Sequence, residues 1–259
     1  ETDLMVGSEG QLGVITKVWL STQKMSQRYF VVYFLGETWT KSIDKHLNFF
    51  FRVQDYRDRG VISCELLDEN SLHFIPTQIR PNGPGDAIVL EMSEECFDIF
   101  HEHELNQVFE IPKTKWEQMR VAVPRGVEEY MSKNGLVKCG TDIQANPDSF
   151  KLILEHYKSF SRLGYKFLLF GHFGDAHLHF NFLPEKANLP KIQQELAQLY
   201  SKLDVKSFSP FAEHGIGLIK QQYIKRFHGP VQIEAFQYLK KKFDPFEQFF
   251  PQGFMGSYL

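Results

Sequence analysis

The sequence predicts an α+β fold in which an antiparallel sheet is covered by helices on one face. Strand-like and helix-like segments alternate irregularly along the chain, instead of in the regular order that a parallel sheet requires. Residues 166–170 and 178–183 are two strand-like segments joined by a glycine-containing turn, which is typical of an antiparallel hairpin. With 259 residues, of which 42% are hydrophobic, the chain can bury a sizeable core.

Hydrophobic periodicity predicts the elements of the first half of the chain. β-Branched and aromatic residues in alternation or in short runs indicate strands, and apolar residues at helical spacing indicate helices. Residues 79–86, IRPNGPGD, contain two prolines and two glycines and therefore predict a loop. The predicted strands are 12–21, 28–35, 60–67 and 86–92, and the predicted helices are one that carries Trp39, Ile43, Leu47, Phe50 and Phe51, one at 94–109 and one at 113–133.

Three further helices are predicted in the second half. Asn146 is suited to cap a helix at 147–162, and Pro147 fits the first turn of that helix. Apolar residues at helical spacing predict the others at 189–203 and at about 231–243.

Composition narrows the function classes. A net charge of -3 argues against a general nucleic-acid binder, which would usually carry a basic excess. The three cysteines are far apart, which suits a reducing compartment. Since no apolar run approaches the roughly 20 residues that span a bilayer, we expect a cytoplasmic protein, either free or peripheral at the inner membrane. The chain opens without Met in the middle of a domain-like pattern, so we expect a piece of a longer protein.

Three histidines fall within the segment GHFGDAHLHF, namely His172, His177 and His179. In a strand, His177 and His179 point to the same face, and the preceding turn can fold His172 back over that face. Neutral imidazoles are good ligands for zinc and related cations, and Asp175 could orient one of the rings. The alternative is a set of half-buried histidines hydrogen-bonded to the backbone.

A second polar segment, AEHGIG, contains Glu213 and His214 beside two glycines. Glu213 could complete a metal site with two histidines, and His214 could serve as a base because the ordinary histidine pKa lies near neutrality. The alternative for this segment is a polar loop.

Several motifs, in order along the chain, resemble one family. VGSEGQLGVIT resembles GSEG-x-LG-[IV]-[IV]-T, GHFGDAHLH resembles GH-x-GDGNLH, AEHGIG resembles SGEHGIG, and FDPFEQFFPQGF resembles DP-x-x-x-xNPGK. ELLDENSL and RVAVP fit further segments of the same family. The chain is thus similar to the C-terminal portion of FAD-linked oxidases of the vanillyl-alcohol-oxidase type, which include D-lactate, glycolate and D-2-hydroxyglutarate dehydrogenases.

The resemblance implies a domain organisation. Residues 1–22 would be the end of a flavin-binding domain that lies mostly upstream and is missing here. Residues 23–259 would form a ferredoxin-like substrate or cap domain, with a C-terminal segment that returns to the flavin domain. In an intact protein the FAD-binding residues of this chain would be Gly7, Ser8, Gly10, Gly13 and Ile15.

The resemblance also implies a site and a reaction. His172, His179 and Glu213 match the metal ligands, with zinc, iron or manganese as the cation, and His214 matches the catalytic histidine. Arg120 matches the arginine that binds the substrate carboxylate, and Arg125 is a rival for that role. The reaction would oxidise a D-2-hydroxy acid to the 2-oxo acid with hydride transfer to FAD.

The sequence departs from the family motifs at several places, and RVAVPR lacks the acidic residue that usually follows the proline. Ala176 and His177 stand where the motif has Gly-Asn, Phe211-Ala212 replaces Ser-Gly, and Phe250 replaces an Asn that lies near the flavin. Two other functions therefore stay open: a metal- or small-acid-binding module without redox activity, and a subunit of a complex in which another chain supplies the flavin. The sequence also leaves open a homodimer and the electron acceptor.

Overall fold

A computed structural model describes residues 2–22, 27–98 and 108–256, and the chain divides into two units. The larger one, Met25–Leu203, is called the sheet unit. The smaller one combines Glu1–Lys24 with Asp204–Leu259 and is called the terminal unit. The domain boundary expected after residue 22 stays a prediction.

The sheet unit is built on an antiparallel sheet. The strand order is β4-β1-β3-β2-β7-β8-β6, and β5 also pairs with β8. Each strand pair for which a register is defined in this unit is antiparallel. The strands are β1 (Arg28–Phe34), β2 (Val61–Leu67), β3 (Ala87–Ser93), β4 (Val108–Ile111), β5 (Cys139–Gly140), β6 (Ile143–Ala145), β7 (Phe167–Gly171) and β8 (His177–Phe182). This confirms the predicted fold class, an antiparallel sheet with helices.

The helices that the structure describes from end to end lie in both units. Among them, no helix is long and apolar enough to cross a membrane. In chain order they are α1 (Thr2–Met5), α2 (Ile43–Arg57), α3 (Glu69–Leu72), α4 (Lys113–Asn134), α5 (Phe150–Ser161), α6 (Leu189–Lys202), α7 (Ile224–Phe227) and α8 (Pro230–Phe243). The terminal unit also contains a short strand, β9 (Phe208–Ser209).

Helices cover both faces of the sheet, so the expectation of one covered face was wrong. On one face, Met119 and Val123 of α4 pack in a core cluster with Val32 of β1. On the other face, Tyr33 of β1 stacks on Phe49 of α2 with ring centres 4.4 Å apart. The reason lies in the sequence of β1, RYFVVYF, which is apolar at consecutive positions and therefore needs cover on both sides.

Some predicted elements differ in the structure. The strand predicted at 12–21 is absent: residues 13–22 have no regular structure, because no described strand pairs with this segment and a strand needs a hydrogen-bonded partner. The helix expected at 94–109 is helical at 94–98, lies outside the described residues at 99–107, and gives way to β4 at Val108. Asn146 makes no side-chain capping bond, and a short 3-10 turn at Pro147–Ser149 precedes α5.

Candidate functional site

The hairpin of β7 and β8 brings the three histidines together. Phe170 lies opposite His179 in the antiparallel register, and His172 follows directly after β7. The ring centre of His177 lies 5.6 Å from that of His172 and 4.7 Å from that of His179. His177 therefore lies between the two histidines that match the family's metal ligands.

Two residues of the hairpin show why the chain can turn so tightly here. Gly171 has a φ of 131°, and a Cβ atom at this position would lie 3.0 Å from Cδ2 of His179. Ala176 ends the 3-10 turn at Phe173–Asp175 in the left-handed region, with a φ of 52°. Glycine favours that conformation more than alanine does, so Ala176 keeps the turn at some conformational cost.

Each imidazole has one nitrogen bonded to a fixed acceptor of the sheet unit. Nδ1 of His172 lies 2.7 Å from Oε1 of Glu65, which is on β2. Nε2 of His177 lies 2.9 Å from Oδ1 of Asp142. Nδ1 of His179 lies 3.3 Å from the carbonyl oxygen of Thr141. The rings are thus oriented mainly by carboxylates, in contrast to the alternative of backbone bonds alone.

These acceptors determine which nitrogen of each neutral ring carries the proton. An ionised carboxylate or a backbone carbonyl can only accept, so the nitrogen facing it donates. In His172 and His179 this places the lone pair on Nε2, and in His177 it places the lone pair on Nδ1. Metal-binding histidines commonly donate their other ring N–H to a carboxylate or carbonyl in this way.

A group of possible metal ligands lies entirely within the sheet unit. Asp142, His177 and His179 are buried, and each offers a ligand atom within 4.8 Å of the others. His172 is half-buried, with 33% of its side chain exposed. The imidazoles of the hairpin, together with the neighbouring carboxylate of Asp142, are donors suited to zinc, iron or manganese.

The suggestion that Asp175 orients an imidazole was wrong. Its carboxylate forms an ion pair with Arg57 and is half exposed. Glu65 and Asp142 orient the rings instead, and sequence reasoning missed both. A signal existed for Glu65, because it is a lone carboxylate in the otherwise uncharged strand VISCELL.

In the terminal unit, the GSEG and EHGIG motifs are bonded to each other. The Glu9 carboxylate accepts hydrogen bonds from the backbone N–H groups of Ile216 and Gly217, at 2.6 and 2.8 Å. A Cβ atom on Gly215 would lie 2.2 Å from Oε1 of Glu9, and the φ of Gly215 is 64°, a conformation that favours glycine. The loop that carries Glu213 and His214 is held by these bonds.

The residues proposed to bind flavin lie in the first turns of the terminal unit. Gly7 and Gly10 have φ values of 78° and 71°, and a Cβ atom on either would meet no other atom within 4 Å. A Cβ atom on Gly13 would also meet no other atom within 4 Å. Ser8 is buried, whereas Ile15 is exposed. The glycine backbone is thus open to a ligand, as a phosphate or ring contact would require.

Comparison with known families decides the affiliation of the chain. A family model described as FAD linked oxidases, C-terminal domain, matches residues 40–252. The chain belongs to this family.

Relatives of this FAD-linked oxidase C-terminal domain include two curated dehydrogenases. A D-2-hydroxyglutarate dehydrogenase of Stutzerimonas stutzeri (strain A1501) is 30% identical over 99 residues, which are 36% of this chain and 20% of that protein. A D-lactate dehydrogenase of Anaerostipes hadrus is 22% identical over 269 residues, which are 94% of this chain and 55% of that protein. The chain thus spans about half of the second relative and less of the first.

Solved structures share the fold. An alkyldihydroxyacetonephosphate synthase has a TM-score of 0.52 at 13% identity, covering 95% of this chain and 48% of that one. The 4-ethylphenol oxidase of Gulosibacter chungangensis, in an isoeugenol complex, has a TM-score of 0.54 at 10% identity, covering 84% of this chain and 51% of that one. At these identities the likeness concerns the fold alone.

In this chain, the two arginines that are candidates for binding the substrate carboxylate lie on the exposed side of α4. Arg125 lines a cavity of about 690 Å³ together with Glu117 and Glu129, whereas Arg120 is not among its lining residues. Both arginines are exposed residues. The role of Arg120 therefore stays a prediction, with Arg125 as its rival.

The C-terminal segment of the family member is anchored by a buried lysine. Lys240 of α8 donates to the carbonyl oxygen of Gln11 at 2.9 Å, to Oδ2 of Asp244 at 2.6 Å and to the carbonyl oxygen of Phe249. Phe250, which replaces the motif's Asn, follows directly with a φ of 42°. Backbone geometry here is thus fixed by Lys240 and Asp244, even though the motif residue has changed.

Proposed function

We propose that the chain is the substrate-binding C-terminal part of a flavin-dependent dehydrogenase that oxidises a D-2-hydroxy acid to the 2-oxo acid. The observation that carries the proposal is the hairpin in which His172 and His179 each have Nδ1 bonded to an acceptor. This chain belongs to the FAD-linked oxidase C-terminal family. The two histidines are at the positions that match the metal-binding histidines of the family motif. The names of the two relatives, D-lactate dehydrogenase and D-2-hydroxyglutarate dehydrogenase, support the proposed substrate class.

The donor set of the hairpin fits a divalent cation. His172 and His179 would hold it through Nε2, with Glu65 and the Thr141 carbonyl fixing the ring orientations. Glu213 would be the third metal ligand, as its match to the family motif implies. A cation bound there would lower the pKa of the substrate hydroxyl by stabilising the alkoxide.

The chain's own residues would bind the substrate and move a proton. Arg120 would bind the carboxylate, for which a guanidinium offers two parallel N–H donors. His214 would take the proton of the hydroxyl group as general base. The chemistry that bound FAD would supply is acceptance of the hydride from the carbon that carries this hydroxyl. The backbone N–H groups of Ile216 and Gly217 donate hydrogen bonds to Glu9, and these bonds would hold the loop that carries His214 in position for the proton transfer.

The surface of the terminal unit supports a flavin-binding domain as its partner. Fourteen of the nineteen large hydrophobic side chains that are exposed among the described residues belong to this unit. They include Trp19 and Leu20 in the irregular segment 13–22, with exposed fractions of 80% and 81%. Several exposed apolar side chains within one short segment are typical of an interaction site. Gly7, Gly10 and Gly13 border the same segment and would approach the flavin through their backbone.

The flavin partner can be tested by expression. The 259-residue chain and a version extended by the sequence encoded upstream of Glu1 should be compared for flavin absorbance and for oxidation of D-lactate, glycolate and D-2-hydroxyglutarate. We expect a yellow protein and oxidation of one of these acids in the extended version only. A colourless extended protein that binds no FAD would contradict the proposal.

The two arginines provide a matched pair for the substrate contact. Arg120→Ala should raise KM for the hydroxy acid by roughly 100-fold, because a charge-assisted bidentate contact contributes about 3 kcal/mol. Arg125→Ala, on the same helix, should change KM by less than threefold. If the two effects are reversed, Arg125 is the carboxylate-binding residue and the assignment of Arg120 is wrong.

A further inference from the structure

His177 stands where the family motif has Asn, and the structure gives it the environment of a metal ligand. Its ring is buried, and its centre lies 4.7 Å from that of His179 and 5.6 Å from that of His172. The geometry points to His177 as an additional ligand of the cation held by the hairpin, with Asp142 as the carboxylate that orients it. This inference rests on the proposed function, since it adds a ligand to the cation proposed there.

Ring separations support a shared cation. With metal–nitrogen bonds of about 2.0–2.1 Å, two imidazoles on one ion have ring centres roughly 4.5–5.3 Å apart for ligand angles between about 90° and 110°. The separation of His177 and His179 lies within this range, and that of His172 and His177 exceeds it by a few tenths of an ångström. The ring of His177 therefore lies at, or within a few tenths of an ångström of, the separation that a shared ion requires from each of its two neighbours.

The hydrogen bond to Asp142 gives His177 the required tautomer. Oδ1 of Asp142 accepts from Nε2 of His177 at 2.9 Å, so the lone pair of the neutral ring is on Nδ1. Both side chains are buried, with exposed fractions of 6% and 4%, so solvent screens this contact little. An imidazole backed by a carboxylate is a more basic ligand, and it is the arrangement found around many protein-bound metals.

His46 forms the same kind of pair, but none of the possible metal-ligand groups among the described residues includes it. Its Nε2 also lies 2.9 Å from a buried carboxylate oxygen, that of Asp86, and both side chains are fully buried. Asp86 also accepts from the backbone N–H groups of Trp39 and Glu69, so this pair has a structural role in joining segments of the fold. The two histidine–aspartate pairs thus match in geometry and differ in surroundings.

Zinc binding by the 259-residue chain tests the inference. Zinc affinity is measured by competition with a chromophoric chelator, and X-ray absorption of the zinc-loaded protein counts its imidazole ligands. We expect three imidazoles in the wild-type protein and two in His177→Asn, whose zinc affinity should fall about 100-fold. Asp142→Asn should weaken zinc binding about tenfold, the effect typical of losing an orienting partner. His46→Asn, the matched control, should leave zinc affinity within threefold of wild type.

The outcomes separate this inference from the proposed function. A folded His177→Asn protein that keeps both the wild-type zinc affinity and the wild-type number of zinc-bound imidazoles would overturn the role of His177. An equal loss in His46→Asn would also overturn it, because general destabilisation would then explain the result. His172→Ala tests the proposed metal site independently: unchanged zinc affinity in that variant would remove His172 as a ligand and leave His177 standing. A wild-type chain that binds no zinc would contradict both.

Discussion

The sheet unit and the terminal unit differ in how completely they bury their large apolar side chains. The sheet unit buries its aromatic residues in stacked and edge-to-face clusters, and five of the large hydrophobic side chains of its described residues are exposed. The smaller terminal unit has fourteen exposed ones and a core cluster of few residues, among them Leu12, Ile216 and Phe254. Polar contacts made by the buried Lys240 and the partly buried Glu9 also hold this unit together. Apolar packing therefore stabilises one unit, and hydrogen bonds and ion pairs have a larger share in the other.

The largest expected effect concerns aromatic packing. Phe180 is fully buried and its ring contacts Trp39, Tyr157 and Phe167. Phe180→Ala should lower the free energy of unfolding of the sheet unit by about 3–5 kcal/mol, since it leaves a cavity in a packed core. The loss is measured by urea denaturation, with amide hydrogen exchange as the probe of each unit.

The matched control for that substitution lies in the terminal unit. Phe246 has an exposed fraction of 82%, so Phe246→Ala should change stability by no more than about 0.5 kcal/mol. A comparable loss in both variants would show that the two units do not differ in the way the burial pattern indicates.

The sequence was a good guide to the sheet unit and a poorer one to the terminal unit. The run RYFVVYF and the segment 12–21 both have strand-like composition, but only the first pairs with neighbouring strands among the described residues. Composition reports a tendency to form a strand, whereas hydrogen bonding to a partner decides whether one forms. The prediction was right where partner strands are present in the described chain.

The candidate site shows the same distinction between local and distant information. The grouping of His172, His177 and His179 follows from spacing, because a hairpin is a local structure. The carboxylate partners come from far along the chain: Glu65 is 107 residues from His172, and Asp142 is 35 residues from His177. They reach the histidines through strand order and chain path, which single-sequence periodicity does not determine. For the same reason the sequence suggested Asp175, the nearest carboxylate.

The next effect in size concerns the buried lysine of the terminal unit. Lys240→Ala should destabilise this unit by about 3 kcal/mol, because Asp244 loses its cation and two buried carbonyl groups lose their donor. Amide exchange should accelerate in the terminal unit and stay unchanged in the sheet unit. Lys241→Ala removes an exposed lysine of the same helix and should have little effect. If exchange accelerates equally in both units, the loss of Lys240 is not confined to the unit that it anchors.

The smallest expected effect is a pH dependence that belongs to the sheet unit alone. Burial, and then the charge of neighbouring Asp86, raise the pKa of Asp68 from 3.8 to about 7. Between these two values the folded protein holds a proton that the unfolded chain releases, so stability falls as the pH rises from about 4 to about 7.

Asp68 also caps α3 by accepting from the backbone N–H of Ser71, and an asparagine oxygen can still accept that bond. Asp68→Asn should therefore keep the cap, remove this part of the pH dependence and stabilise the sheet unit at pH 8 by roughly 1–3 kcal/mol. The measurement is urea denaturation from pH 4 to pH 8, with Asp55→Asn, an exposed position on α2, as the control that should keep the wild-type slope. If Asp68→Asn keeps that slope as well, the raised pKa of Asp68 is wrong, and the sheet unit would have no buried carboxyl group here that opposes folding near neutral pH.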